Sequence, residues 1–426
     1  MTSAGLSALW VVVYGSCNWI TSQRGDVGTW FYSWEHFIPF VPLMIVPYMS
    51  IDLFFVAAPF LCRDRDELRT LARRIAFAIL VAGACFLLVP LKLAVPRPQP
   101  DGWTGAIYNF LHEFDQPYNL FPSLHITLLA ILASLYARHT RGALRVASHV
   151  WFSLIGFSAL LTYQHHVVDV IGGFVLATFC FYLFREKRVR RSLVPNYQVG
   201  GYYLTGAFAL VALVPTLWPW TSVLLWAVLS LGITGAAYWK LGPIIYRKTN
   251  GRLPLSARLL FAPNLIGQHI SLRLYRRRCD AGNIVTPSVW IGAHLNRREA
   301  RDATKRGVTA VLDLTAEFSE AREFLELNYR NIPVLDLTGL TVSQLREASD
   351  FISEHARDGI VYVHCKAGYS RSAAAVAAYL LASGQVPTAE EAFRLLREVR
   401  PSIIIRPEIV DSVKAFEANT VESLNR

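Results

Sequence analysis

Apolar residues follow two different rhythms along this chain. In the first part they form long runs: Ala4 to Ile20, about Phe37 to Leu61, Ile75 to Leu91, Leu124 to Tyr136, Val150 to Leu161, Val167 to Phe184, Tyr202 to Leu217 and Trp220 to Trp239. Runs of this character with few charges predict helices that cross a membrane. Residues 1–248 are therefore expected to form an all-α polytopic membrane domain of about eight helices. The first run has no basic residue before it and no small-x-small site after it, so it reads as a first transmembrane helix and not as a cleaved signal peptide. Pro39, Pro42, Pro47 and Pro59 interrupt the second run and predict a kink. After Asp280 the rhythm changes to short β-rich runs alternating with amphipathic stretches. Strands are expected at Ser288–Ile291, Val308–Leu314, Ile332–Leu335 and Ile360–Val363. Helices are expected near Arg297–Arg306, Val342–Ala356, Arg371–Ser383, Ala389–Val399 and Glu408–Ala418. Such alternation predicts an α/β sandwich with a mainly parallel sheet over residues 281–426. Between the two, residues 249–280 mix Leu, Ile and Phe with Arg258, Arg273, Arg276, Arg277 and Arg278. This stretch fits a basic juxtamembrane linker and fits equally well a first helix of the soluble domain.

Composition agrees with a membrane protein: 53% of the 426 residues are hydrophobic and only 17% are charged. The net charge of +11 sits in short clusters between apolar runs and not along one soluble face, so nucleic acid is not an expected partner and an anionic membrane surface is. One set of loops carries Arg63, Arg65, Arg69, Arg73 and Arg74, then Arg138, Arg141 and Arg145, then Arg185, Lys187, Arg188, Arg190 and Arg191, then Lys240, Arg247 and Lys248. The opposite set offers little beyond Arg24, Lys92 and Arg97. The positive-inside rule makes the rich set cytoplasmic. The expectation is a multi-pass inner-membrane protein whose α/β domain lies in the cytosol. Six cysteines form neither CxxC pairs nor a metal-ligand pattern, so no disulfide framework, metal or cofactor is expected.

The most specific chemistry lies at His364-Cys365-Lys366-Ala367-Gly368-Tyr369-Ser370-Arg371-Ser372, between an expected strand and an expected helix. Amides of such a loop and the helix dipole make an anion cradle, and Arg371 can grip two phosphate oxygens at once. The same field favours thiolate at Cys365, which makes it a nucleophile near neutral pH. These residues resemble the HCxxGxxRS signature of the cysteine-dependent tyrosine and dual-specificity phosphatases. That resemblance implies phosphomonoester hydrolysis through a phosphocysteine, with Ser372 bonding the sulfur and helping it leave, and His364 orienting the loop. It also implies a general acid from a separate loop, and Asp336 after Ile332-Pro333-Val334-Leu335 is assigned to it, with Asp313 as a structural competitor. Lys366-Ala367-Gly368 resembles the lipid-directed members, the phosphoinositide 3-phosphatases and the phosphatidylglycerophosphate phosphatase. A second cation suits a multiply anionic head group, although Tyr369 stands where those relatives often place another basic residue. Phospholipid head groups are the expected substrates. The alternative is a membrane-tethered protein tyrosine or dual-specificity phosphatase with a non-catalytic membrane domain.

A second constellation lies in the membrane domain. Lys92 to Pro98 follows the third run, Phe121-Pro122-Ser123-Leu124-His125 opens the fourth, and His165-His166-Val167-Val168-Asp169 opens the sixth. All three are expected on the periplasmic side. His165 and Asp169 share a helix face, so the carboxylate can fix the imidazole tautomer, and Ser123 with its neighbouring amides suits phosphate at a helix N-terminus. These stretches resemble the type 2 phosphatidic-acid phosphatase superfamily, with its KxxxxxxRP, PSGH and SRxxxxxHxxxD motifs. The resemblance implies His165 as nucleophile, Asp169 as its orienter, His125 as acid, and Lys92 with Arg97 as phosphate ligands. Gln99 and Ala159 stand where two motif arginines would be, and Pro122-Ser123-Leu124-His125 in place of PSGH, with no arginine in the third motif, looks more like the sphingomyelin-synthase and inositol-phosphorylceramide-synthase branch. His166 is expected to be merely interfacial, and Asp52 to reach the cytoplasmic interface near a proline kink.

Overall fold

The computed structural model describes residues 2–185, 193–217, 224–277 and 279–424. Lys187, Arg188, Arg190, Arg191, Arg278 and the start of the last apolar run at Trp220 lie outside the described residues. The chain packs as two compact units, Met1–Arg188 and Val189–Arg426.

The first unit is helical: α1 (Thr2–Ser22), α2 (Ile45–Leu61), α3 (Arg65–Leu88), α4 (Gly102–Phe114), α5 (Leu124–His139), α6 (Gly142–Leu161) and α7 (Val167–Leu183). Ile75, Ile79, Leu132, Ile155 and Cys180 are buried between these helices, while Leu53, Phe60 and Leu88 face outward, the pattern of a bundle whose outside meets lipid. Four described helical segments are long and apolar enough to cross a membrane: Pro42–Leu61, Arg65–Leu88, Gly142–Leu161 and, in the second unit, Leu224–Tyr246. Eight such spans are therefore not found among the described residues. The other apolar runs form shorter helices such as α5 and α7, or, in α1, a helix diluted by Ser7, Ser16 and Asn18.

Several boundaries depart from the apolar runs for local reasons. α3 begins at Arg65, well ahead of Ile75, because the Asp64 side chain accepts hydrogen bonds from the amides of Asp66 and Glu67 at its first turn. The second run breaks where its prolines predict: a 3-10 turn at Pro42–Met44 leads into α2. α4 was not foreseen, since His112 and Glu113 interrupt its apolar stripe.

The second unit opens with α8 (Tyr197–Leu213) and α9 (Leu224–Ala236), which pair as a hairpin. α10 (Leu255–Leu260) and α11 (Ala262–Arg276) follow. Five strands come next, β1 (Gly282–Thr286), β2 (Val289–Ala293), β3 (Val308–Thr315), β4 (Asn328–Val334) and β5 (Ile360–Cys365), in the order β1-β2-β5-β3-β4. Only β1 and β2 pair antiparallel, so the sheet is mainly parallel, as the alternation predicts. Its helices are α12 (Arg297–Lys305), α13 (Arg322–Leu325), α14 (Val342–His355), α15 (Arg371–Ala382), α16 (Ala389–Val399) and α17 (Pro407–Leu424). β5 is central, and Val361 and Val363 point from it into a core shared with α14, α15 and α17. Tyr362 points to the opposite core with Trp290, Val311 and Phe324. β1 and the first half of β4 escaped the apolar pattern because both are half-exposed edge strands, β1 short with one Asn and β4 opening on Asn328, Arg330 and Asn331.

The sequence boundary at residue 248 falls inside this second unit. The Lys248 ammonium is buried against Asp313 Oδ2 at 2.5 Å and the Thr315 carbonyl at 2.9 Å. Leu265, Gln268 and Leu272 of α11 are buried, while Ile266, Ile270 and Leu274 are exposed. The stretch 249–280 therefore supplies helices of the second unit and still shows an apolar outer face.

Candidate active sites

The phosphate loop spans the gap between the end of β5 and the start of α15, at the carboxyl end of the central strand where ligands bind in parallel sheets. Cys365 is buried, with its Sγ 3.4 Å from Ser372 Oγ. Burial pushes the thiol pKa up, but the Arg371 charge and hydrogen bonds from Ser372 outweigh it and hold the thiol below its ordinary value. Gly368 turns the loop with φ +74°. A Cβ there would lie 2.5 Å from the Gly292 carbonyl carbon, so only glycine fits. Behind the loop Arg400, fully buried, donates to the carbonyls of Gly368 at 3.0 Å and Ala367 at 3.1 Å. Ser370 donates from its hydroxyl to the Ile404 carbonyl at 2.6 Å. The loop is thus held from outside, with its inner face left to an anion.

Arg371 is fixed from several directions. Its guanidinium takes both carboxylate oxygens of Glu317 at 2.8 and 3.2 Å, the Val334 carbonyl at 2.7 Å, and Asp336 Oδ1 at 3.0 Å. Asp336 also lies 3.3 Å from Lys366 Nζ. Burial raises the Asp336 pKa, and Arg371 and Lys366 more than reverse this, leaving the carboxyl below its usual range. A substrate phosphate bound in the loop would compete for these cations and return the carboxyl toward its protonated form, the state a general acid needs before the ester bond breaks. The competitor Asp313 is closed off: one oxygen accepts from Thr315 at 2.7 Å, the other from Lys248 and from Tyr329 at 2.6 Å. Lys366 additionally donates to Gln268 Oε1 of α11 at 2.6 Å, and Gln268 Nε2 donates to Tyr203 of α8 at 3.1 Å.

His364 sits behind the nucleophile, fully buried, with Nδ1 3.4 Å from the Cys365 carbonyl and Nε2 2.8 Å from Glu320 Oε2. Burial pushes its imidazole down, and the charges of Glu320 and Asp313 raise it above its ordinary value. The Tyr369 hydroxyl contacts Cys279 and its ring meets Tyr275 edge-on. Arg400, Glu317, Glu320 and Gln268 were not singled out from sequence. Each comes from an element remote along the chain, with no local motif.

In the membrane domain, His125 and His165 line a cavity of about 480 Å³ with Tyr14, Tyr48, Asp52 and Asp115. His125 stacks on Tyr48 with ring centres 4.2 Å apart. His165 Nδ1 is 3.8 Å from Asp169 Oδ2, an ion-pair distance without a hydrogen bond, and that oxygen accepts from the His166 amide at 2.8 Å. Asp52 is exposed on α2 and lines the same cavity as the two histidines. Other expectations change. Lys92 is exposed and does not line the cavity. Arg97 is bound to Asp115, with Nη2 3.2 Å from Oδ2. Ser123 is buried and its hydroxyl caps α5 by accepting from the Ile126 amide. His166 is buried, with Nδ1 3.0 Å from Glu35 Oε2, and it accepts from the Ala94 amide at 3.1 Å. It therefore ties the loop after α3 to the start of α7.

Comparison with known proteins matches both halves. The family model for the dual specificity phosphatase catalytic domain matches residues 289–419, and that for the PAP2 superfamily matches residues 71–192. The phosphatidylglycerophosphatase and protein-tyrosine phosphatase 1 of Homo sapiens is 33% identical over 172 residues, 38% of this chain and 85% of that protein. Dual specificity protein phosphatase 19 of Mus musculus is 31% identical over 137 residues, 32% of this chain and 61% of that protein. The crystal structure of PTPMT1 in complex with PI(5)P is 26% identical, with 34% of this chain and 99% of that chain covered and a TM-score of 0.31. The chain belongs to the dual-specificity phosphatase family, and it is a phosphoric monoester hydrolase that carries a PAP2 domain in the same polypeptide.

Proposed function

We propose that the second unit hydrolyses phosphomonoesters on phospholipid head groups of the phosphatidylglycerophosphate or phosphoinositide kind, at a cytosolic membrane face. The observation that carries this is the way the phosphate loop is joined to apolar helix. The membrane-length segment ends at Tyr246, Lys248 is already buried in the α/β core, and Lys366 of the loop reaches Tyr203 of α8 through Gln268. A loop held beside a membrane span meets lipid head groups at high effective concentration. Two cations on one side of the cradle, Arg371 and Lys366, suit a head group with more than one negative charge. The human relative named as a phosphatidylglycerophosphatase agrees with this reading.

In the reaction the Cys365 thiolate attacks phosphorus while Arg371 and the loop amides hold the non-bridging oxygens. Asp336 gives its proton to the departing alcohol. Water then attacks the phosphocysteine, releasing phosphate, and Ser372 donates to the sulfur as it leaves. The membrane domain carries a second, histidine-based lipid phosphatase or phosphotransferase site, with His165 as nucleophile, Asp169 as its orienter and His125 as acid. The basic loops support an inner-membrane location with that second site toward the periplasm.

Purified full-length protein is offered phosphatidylglycerophosphate, phosphoinositides, phosphatidic acid and a phosphotyrosyl peptide, and Cys365→Ser is compared with His165→Ala. Preference for the first two lipids, lost in Cys365→Ser, is expected. Peptide turnover equal to or better than lipid turnover would favour the tethered protein phosphatase. A reporter fused after Trp239 tests orientation, and periplasmic exposure there overturns it.

A further inference from the structure

Three side chains behind the phosphate loop converge, with His364 and Glu320 at ion-pair distance and His294 close to the same carboxylate. His294 follows β2, Glu320 lies in the connection between β3 and α13, and His364 is the penultimate residue of β5. One donor atom from each lies within 4.8 Å of the other two. Those atoms, His294 Nδ1, Glu320 Oε2 and His364 Nε2, are buried and have no hydrogen-bond partner among the described residues. His364 Nε2 and Glu320 Oε2 are 2.8 Å apart, yet not aligned as donor and acceptor, and His294 Nδ1 is 3.9 Å from the same oxygen. The three atoms are close enough to one another for a single ion to touch them all.

The neighbouring Asp313 gives the contrast. Its Oδ1 is 3.9 Å from His364 Nε2, but both its oxygens are already bonded, to Thr315, Lys248 and Tyr329. The three open atoms are also held in place from their far sides. Glu320 Oε1 accepts from the Ala321 amide at 2.8 Å, His364 Nδ1 rests on the Cys365 carbonyl, and the His294 ring stacks on Phe318 with centres 5.0 Å apart. A bond at the far nitrogen fixes which imidazole nitrogen is free to ligate.

We propose that His294, Glu320 and His364 form a binding site for one transition-metal ion of the zinc class. Two imidazoles and one carboxylate are a donor set that zinc takes, with water as the fourth ligand, and one that magnesium and calcium do not favour. The ion lies behind the phosphate loop, away from the reacting oxygens, and braces the residue that precedes the nucleophile. Its chemistry is separate from the phosphoryl transfer.

The test uses untagged full-length protein in detergent, stripped with a chelator and loaded with zinc alone. One tightly held zinc per chain is expected in the wild type and in Cys365→Ser. His294→Ala and Glu320→Gln are each expected to weaken binding at least about tenfold. Zinc held equally well by both of those variants overturns the proposal, and so does loss of zinc in Cys365→Ser, which would place the ion on the nucleophilic thiolate. Should either buried variant fail to fold, cobalt substitution in the Cys365→Ser protein decides. Intense visible absorption of four-coordinate cobalt supports the site, and the faint spectrum of a fully hydrated octahedral ion overturns it.

Discussion

Arg371 and His165 hold reactive groups in opposite ways. Arg371 is bonded on several sides by Glu317, Asp336 and a backbone carbonyl before any substrate arrives. His165 faces a cavity of about 480 Å³, and its Nδ1, one Asp169 oxygen and His125 Nε2 have no hydrogen-bond partner among the described residues. The first arrangement is a cradle whose cation is already bonded, and a bound anion would compete with Asp336 for the guanidinium. The second is a set of unspent donors and acceptors that a substrate must complete. Rigidity costs no reorganisation at the moment of reaction. Openness leaves room for a larger head group and a second reactant.

This contrast is broken most severely at the nucleophile. Cys365→Ser is expected to reduce hydrolysis of every soluble-side substrate to background, measured as phosphate release, and persistent turnover would move the nucleophile elsewhere. Asp336→Asn is expected to lower kcat by about 10² to 10⁴ for alkyl phosphates. The loss should be much smaller for an aryl ester with a good leaving group, and equal losses for both esters would deny Asp336 the role of acid. Gly368→Ala forces a side chain against the Gly292 carbonyl and shifts the loop, and displacement of that kind lowers kcat/KM by about a hundredfold. Ser372→Ala should be gentler on binding but visible in pH. Because the Cys365 thiol is held below its ordinary value, iodoacetamide should inactivate the enzyme in its thiolate form near neutral pH. Removing the Ser372 hydrogen bonds moves the midpoint of the inactivation profile upward, and an unmoved midpoint would remove Ser372 from that role. The smallest effect belongs to the other site: His165→Ala should leave the cysteine-dependent release unchanged while abolishing any phosphohistidine trapped from lipid substrate.

Legibility in the sequence tracked locality. The loop from His364 to Ser372 is contiguous, and its strand, turn and helix follow from apolar periodicity and one glycine, so its chemistry could be read directly. Asp336 was accessible because it ends an apolar strand. Arg400, Glu317 and Glu320 were hidden because each reaches the loop through tertiary packing, and a buried charge among surface charges looks the same in sequence. The metal-ligand spacing of His294, Glu320 and His364 is likewise absent from any short window. In the membrane half, hydropathy located most of the helices but missed α4 and could not rank Lys92 and Arg97. Arg97 is satisfied by Asp115 and Lys92 lies outside the cavity, facts that depend on where α4 packs, and α4 itself left no clean apolar stripe.

The ion pair between Lys248 and Asp313 bears on where this protein can be cut. A soluble fragment started at residue 249, the obvious place by hydropathy, would strand Asp313 and Tyr329 around a missing ammonium. Losing one partner of a buried pair costs about 3–5 kcal/mol, enough to make such a fragment look as though the domain cannot live without its membrane helices. Keeping Arg247 and Lys248 at the new N-terminus should recover most of that loss. The catalytic domain is thus portable only together with the last basic residues of the segment that anchors it.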